Sequence, residues 1–178
     1  MAVASPQVAL AFALAIWTGQ RQGDLLRLTW TAHDGDKIRL RRSKTGARVV
    51  VPVAGALKAM LDATRRRSPC ILTQRDGNPW SEEGFRSSWR KAIANTGIAG
   101  RTFHDLQGTA VTRLAMAGAT EAEIATLTGH SLKDVRSILD ANYLHRNPRS
   151  ESLKREHKFP TDRPTVKYGS IFIWTKVE

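Results

Sequence analysis

Four short stretches of the 178-residue chain carry side chains able to act on an anionic group. The first is Thr18-Gly19-Gln20-Arg21-Gln22-Gly23-Asp24-Leu25, the second Ser43-Lys44-Thr45-Gly46, and the third His104-Asp105-Leu106-Gln107-Gly108-Thr109. The fourth begins at Leu127-Thr128-Gly129-His130 and is followed by Ile138-Leu139-Asp140-Ala141-Asn142-Tyr143. An arginine offers a planar, permanently charged fork that binds phosphate oxygens in pairs. A lysine can donate a proton to a departing oxygen. A tyrosine hydroxyl, with a free pKa of about 10, becomes a nucleophile only beside positive neighbours and a positioned base. Each residue taken singly also has a plainer reading. Arg21 can be a solvated loop arginine, Lys44 an exposed turn lysine, each histidine structural, and Tyr143 a helix-end tyrosine.

Composition narrows the setting. Lys and Arg number 28 against 16 Asp and Glu, a formal net charge of +12. That balance favours a polyanionic partner, since each cation placed on a phosphate releases condensed counterions. With 41% hydrophobic and 25% charged residues the chain suits one globular domain and excludes a wholly disordered one. Cys70 is the single cysteine, so neither an internal disulfide nor a cysteine-built zinc site is possible, which fits a reducing, cytoplasmic setting. The apolar stretch from Val8 to Trp17 is too short to span a bilayer and lacks the basic lead of a signal peptide.

The elements that must position these residues can be read from caps and periodicity. Ser5-Pro6 opens a helix that Gly19 ends, and Gly23-Asp24 opens a second short one. From Thr29 to Val53 short β-favouring runs split by Asp34-Gly35 and Lys44-Thr45-Gly46 predict a small antiparallel sheet. Its first strand should turn Ile38 and Leu40 inward and Lys37, Arg39 and Arg41 outward. Helices are expected from Ala54 to about Arg67, from Ser81 towards Asn95, and over His104–Ala117, Thr120–Thr128 and Leu132–Leu144. The resulting fold class is mixed α+β, mainly α-helical, with the small sheet on one side. Residues 1–150 form the domain. Residues 151–178 form a charged tail broken by Pro160 and Pro164 that finishes on the β-like run Tyr168 to Trp174.

The four stretches, in this order, resemble the catalytic domain of the tyrosine recombinases, the phage-integrase family, from the first helix to about residue 150. The resemblance implies site-specific recombination of double-stranded DNA. In that reaction a tyrosine attacks a phosphodiester, leaving a 3′-phosphotyrosyl bond and a free 5′-hydroxyl. A later attack by another strand's hydroxyl restores the DNA, so no nucleotide cofactor or metal is needed. By resemblance Tyr143 is the nucleophile, Arg21 the first arginine of the site, Lys44 the general acid, and His104 and His130 further members. Arg41, Arg42, Arg48 and Arg101 are expected as phosphate contacts. The family also implies tetrameric assembly on DNA, often with exchanged C-terminal segments, a role that Tyr168 to Trp174 could fill. Its N-terminal DNA-clamping domain is expected to be absent from this chain.

Two positions depart from the family pattern. Asp24 stands where glutamate is more usual. Gln107 stands where the family has its second arginine, substituting a neutral amide for a charged fork. Losing one preorganised transition-state donor costs on the order of 10²–10³ in rate. Arg113, six residues further along the helix, should point elsewhere, whereas Arg101, just ahead of it, is better placed to reach in. The reaction is therefore expected to be weakened. Two other readings remain at this point: a type IB topoisomerase-like enzyme, and a DNA-binding protein without catalysis whose Thr120 to Leu139 segment resembles a helix-turn-helix.

Overall fold

A computed structural model describes residues 4–44 and 46–141. Tyr143 and the tail, including Tyr168 to Trp174, lie outside the described residues. The order of elements is α1 (Pro6–Thr18), α2 (Gln22–Leu26), a 3₁₀ turn (Trp30–Ala32), β1 (Lys37–Arg41), β2 (Arg48–Pro52), α3 (Gly55–Asp62), α4 (Glu82–Ala94), α5 (Asp105–Met116), α6 (Glu121–Thr128) and α7 (Leu132–Leu139). The architecture is mixed and mainly helical, as the periodicity predicts.

Local chemistry explains most boundaries. The Ser5 hydroxyl accepts from the Val8 amide, Pro6 occupies the first turn of α1, and Gly19 closes the helix in the left-handed region at φ 65°. Ser81 and Ser131 cap α4 and α7 in the same way. Thr120 and Glu123 form a reciprocal capping box at the start of α6. Helix α3 stops at Asp62, short of the expected Arg67. Leu61 is the last apolar residue it can bury, and Arg65, Arg66 and Arg67 beyond it are exposed.

Strands β1 and β2 pair antiparallel, from Lys37 opposite Pro52 to Arg41 opposite Arg48. Ile38, Val49 and Val51 face inward, while Lys37, Arg39, Arg41 and Arg48 are exposed, giving the hairpin its basic outer face. One core joins α1, α2, the hairpin, α3 and α4. There Phe103 meets Phe85 and Trp89 edge to face, each pair with ring centroids 5.0 Å apart. That contact fixes the chain just ahead of α5. A second core joins Val111, Leu114 and Ala115 of α5 to Ile124 of α6 and to Val135 and Leu139 of α7. Helix α5 packs on α1 as well, so it links the two cores. The Thr120 to Leu139 segment accordingly packs Ile124, Val135 and Leu139 into the domain.

Candidate DNA-cleavage site

The end of α1, the end of α6, the hairpin turn and the start of α5 converge. Gly19 makes the first junction possible. A Cβ there would lie 2.8 Å from Thr128 Cγ2, so only glycine lets these helix ends approach. Gly129 makes the second: a Cβ would lie 2.6 Å from Arg42 Cδ and 2.7 Å from Val49 Cγ2. The hairpin therefore packs directly beneath the turn that carries His130.

Buried amides lock these pieces together. Gln20 is fully buried, and its Nε2 donates to the carbonyls of Thr18 (2.9 Å) and Thr128 (3.0 Å). Gln107 is 5% exposed, and its Nε2 donates to the Gly19 carbonyl at 3.0 Å. Thus the residue in the second-arginine position is directed at the backbone two residues before Arg21. It acts here as a brace between α5 and the Arg21 loop. Arg21 itself sits at the N-cap of α2, half-buried, with its Nη1 buried and unpartnered.

His130 is held in one tautomer. The Thr128 hydroxyl donates its single proton to the Ile124 carbonyl at 2.6 Å. Its oxygen must therefore accept from His130 Nδ1, 2.8 Å away, which places the ring proton on Nδ1. Burial, followed by the positive charges of Arg42, Arg21 and His104, lowers the His130 pKa from its ordinary 6.5 to about 4, with Asp134 opposing. At neutral pH His130 is thus an uncharged ring whose Nε2 carries a lone pair.

The buried Asp24 carboxylate accepts from the Ser43 amide at 3.0 Å through Oδ1, tying the turn that carries Lys44 to α2. The same oxygen lies 3.6 Å from Arg27 Nη2. Lys44, His104 and Arg101 are exposed. Arg41 is exposed too and donates from Nε to the Gly46 carbonyl at 3.2 Å. Arg42 differs from its neighbours: it is 1% exposed and donates through Nη1 to the Gly129 carbonyl. Burial, then Arg21, holds its pKa below the ordinary arginine value, while Asp24 and Asp134 act in the other direction. Arg113, as its helical phase requires, lies elsewhere, in an apolar crevice with Ile16, Trp17, Val51 and Leu127. Among the described residues no group of three or more His, Cys, Asp or Glu could hold a metal ion. Nor is any helix among them long and apolar enough to cross a membrane.

Sequence reading alone misses the bracing roles of Gln20 and Thr128, because nothing local marks a glutamine or threonine as buried against a distant carbonyl. It also places Arg42 with the exposed cations of the hairpin, whereas the chain turns inward at that residue.

The mainly helical fold with its small two-stranded hairpin has known counterparts. The sequence profile of the phage integrase family matches residues 3–149, and the chain belongs to that family, the tyrosine recombinases. It is 31% identical over 111 residues to the integrase of Escherichia phage HK022, covering 55% of this chain and 31% of that protein. Its fold matches the lambda integrase catalytic core with a TM-score of 0.62 at 26% identity, over 70% of this chain and 80% of that one. A lambda integrase tetramer bound to a Holliday junction matches with a TM-score of 0.61 at 25% identity, over 70% of this chain and 41% of that one. The chain spans between 30% and 41% of the length of the curated relatives it matches.

Proposed function

We propose that this chain is the catalytic domain of a site-specific recombinase that cuts and rejoins double-stranded DNA through a 3′-phosphotyrosyl intermediate. Tyr143 attacks the phosphodiester, its oxygen forming the new P–O bond as the bond to the 5′-oxygen breaks. Arg21 holds a non-bridging oxygen, where its fork offsets charge gathering in the transition state. Lys44, on its tethered turn, donates a proton to the leaving 5′-oxygen. His130 Nε2 faces the reacting group either as the acceptor of the tyrosine proton or, once protonated, as a donor to phosphate. His104, whose positive form would disfavour protonation of His130, shares that end of the site. The exposed Arg41, Arg48 and Arg101 contact flanking phosphates, and binding should weaken steeply with salt. As for the lambda tetramer on its junction, assembly of several copies on DNA is expected.

The observation that carries this reading is the braced junction Thr18–Gln20–Thr128–His130. It holds Arg21 and a neutral histidine of defined tautomer on facing helix ends. A second reading, a recombinase domain that binds DNA with little or no cleavage, is favoured by the uncharged, buried Gln107.

One assay separates the two. The chain is incubated with nicked duplexes drawn from a broad sequence pool, and SDS-resistant adducts are isolated. A Tyr143→Phe control accompanies both the chain as it stands and Gln107→Arg. Adducts that vanish with Tyr143→Phe are expected. Their formation only in Gln107→Arg would establish the second reading, and their absence from both would remove the cleavage claim.

A further inference from the structure

Arg42 has an arrangement that the hairpin's other cations do not share. Arg42 is a buried residue, yet no carboxylate forms an ion pair with it among the described residues. Nη1 is used on the Gly129 carbonyl, while Nε and Nη2 are buried without a partner. Burying an unpaired charge and leaving its donors unsatisfied is costly, so such a group signals an interaction still to be made. Nε and Nη2 lie on one edge of the guanidinium plane, the edge that suits two oxygens of one phosphate. Arg42 is also placed between the two halves of the site. Its backbone closes the Lys44 turn, with Arg42 N donating to Ala47 O and Gly46 N to Arg42 O, each at 2.9 Å. Its side chain lies under the Gly129-His130 turn. Arg21 is close enough to act on it electrostatically.

We propose that Arg42 supplies the second guanidinium of the site, its Nε–Nη2 edge binding a non-bridging oxygen of the DNA phosphodiester that Arg21 also holds. The inference rests on the recombinase reading for the identity of the anion, though the anion site itself does not depend on that reading. Gln107 then has a different task, bracing α5 to the Gly19 carbonyl, and the two positions have divided what one arginine would do. With so little of it exposed, the guanidinium must be uncovered when phosphate arrives.

The test uses the full chain and inorganic phosphate, so it needs no knowledge of the DNA target. The Arg42 Nε–H signal is followed by ¹⁵N NMR during a phosphate titration, alongside Arg42→Lys and an Arg90→Gln control on the exposed face of α4. The expected result is a saturable shift of the Arg42 Nε–H signal. Arg42→Lys should weaken binding roughly tenfold, in line with loss of a charge-assisted, paired hydrogen bond, and Arg90→Gln should not. No saturable binding, an unmoved Arg42 signal at saturation, or unchanged affinity in Arg42→Lys would each overturn the proposal. Should Arg42→Lys fail to fold, the signal from the unaltered chain decides alone. The adduct assay keeps the two claims separable. Tyr143-dependent adducts formed at full rate by Arg42→Lys overturn this proposal and leave the recombinase reading intact. Phosphate bound at Arg42 without any Tyr143-dependent adduct does the reverse.

Discussion

Replacing Gln20 by Met tests whether the buried amide brace is what holds the site together. The two side chains are similar in length and volume, so Gln20→Met removes the polar group while leaving little cavity. Gln20 Nε2 donates to both Thr18 O and Thr128 O, and the side chain is fully buried, so water cannot replace it. Each orphaned buried carbonyl costs about 1–3 kcal/mol, roughly 2–6 for the pair. The substitution also removes Oε1, which is buried without a partner, and adds apolar surface. Together these offset about 1–2 kcal/mol. Taking the middle of each range, the expected net loss is about 2–3 kcal/mol. For a domain of this size each kcal/mol moves Tm by about 2–4 °C, so the melting temperature should fall on the order of 10 °C. Circular dichroism melting at neutral pH, with urea unfolding as the second measurement, reads this directly. A Tm within about 2 °C of the unaltered chain would refute the reasoning, because it would mean that neither carbonyl depends on Gln20.

Three further outcomes are expected. In ¹⁵N NMR at neutral pH, His130 should show the Nδ1-protonated pattern, and Thr128→Val should abolish that preference, since the hydroxyl that accepts the proton is gone. A pattern unchanged by Thr128→Val would show that another group sets the tautomer. Acid should destabilise the domain through His130. Its folded pKa of about 4 lies below the ordinary 6.5, so between those values the unfolded chain binds the proton more readily and stability falls as pH drops. The full shift corresponds to about 3 kcal/mol, and partial solvent screening reduces this to about 1–2 kcal/mol. Urea unfolding at pH 7 and pH 4 should therefore show a smaller loss in His130→Gln than in the unaltered chain, and equal losses would contradict the assignment. Finally, Asp24→Ala should release the Ser43 amide and speed its hydrogen exchange by about tenfold or more, the equivalent of one lost bond to a charged acceptor. Unchanged exchange would mean that the carboxylate does not tether the Lys44 turn.

Much of the fold is legible from local chemistry. Ser5-Pro6, Ser81, Thr120 with Glu123, and Ser131 each mark a helix start that the structure contains, because a cap is satisfied by atoms within a few residues. The alternation in Lys37–Arg41 specifies the buried and exposed faces of β1, since strand geometry alone sends neighbouring side chains to opposite sides. The end of α3 was less legible. Arg65, Arg66 and Arg67 have adequate helix propensity, but no apolar face continues past Leu61 to pack against the core. Arg113 could be set aside from helical phase alone, and the structure places it in the crevice beside Ile16 and Trp17.

The kinds of element, most of their limits, the basic face of the hairpin and the ordered motifs that identify the family are all carried by the linear order of residues. Those properties depend on residues close together in the chain. Which polar side chains are buried, and what they meet, depends instead on long-range packing. Gln20 finds the Thr128 carbonyl across 108 positions of sequence, Gln107 finds that of Gly19 across 88, and Arg42 finds that of Gly129 across 87. A glutamine or arginine reads the same in solvent as in a core. Its role is settled by the distant carbonyl it reaches, and that carbonyl's position depends on the packing of the whole domain.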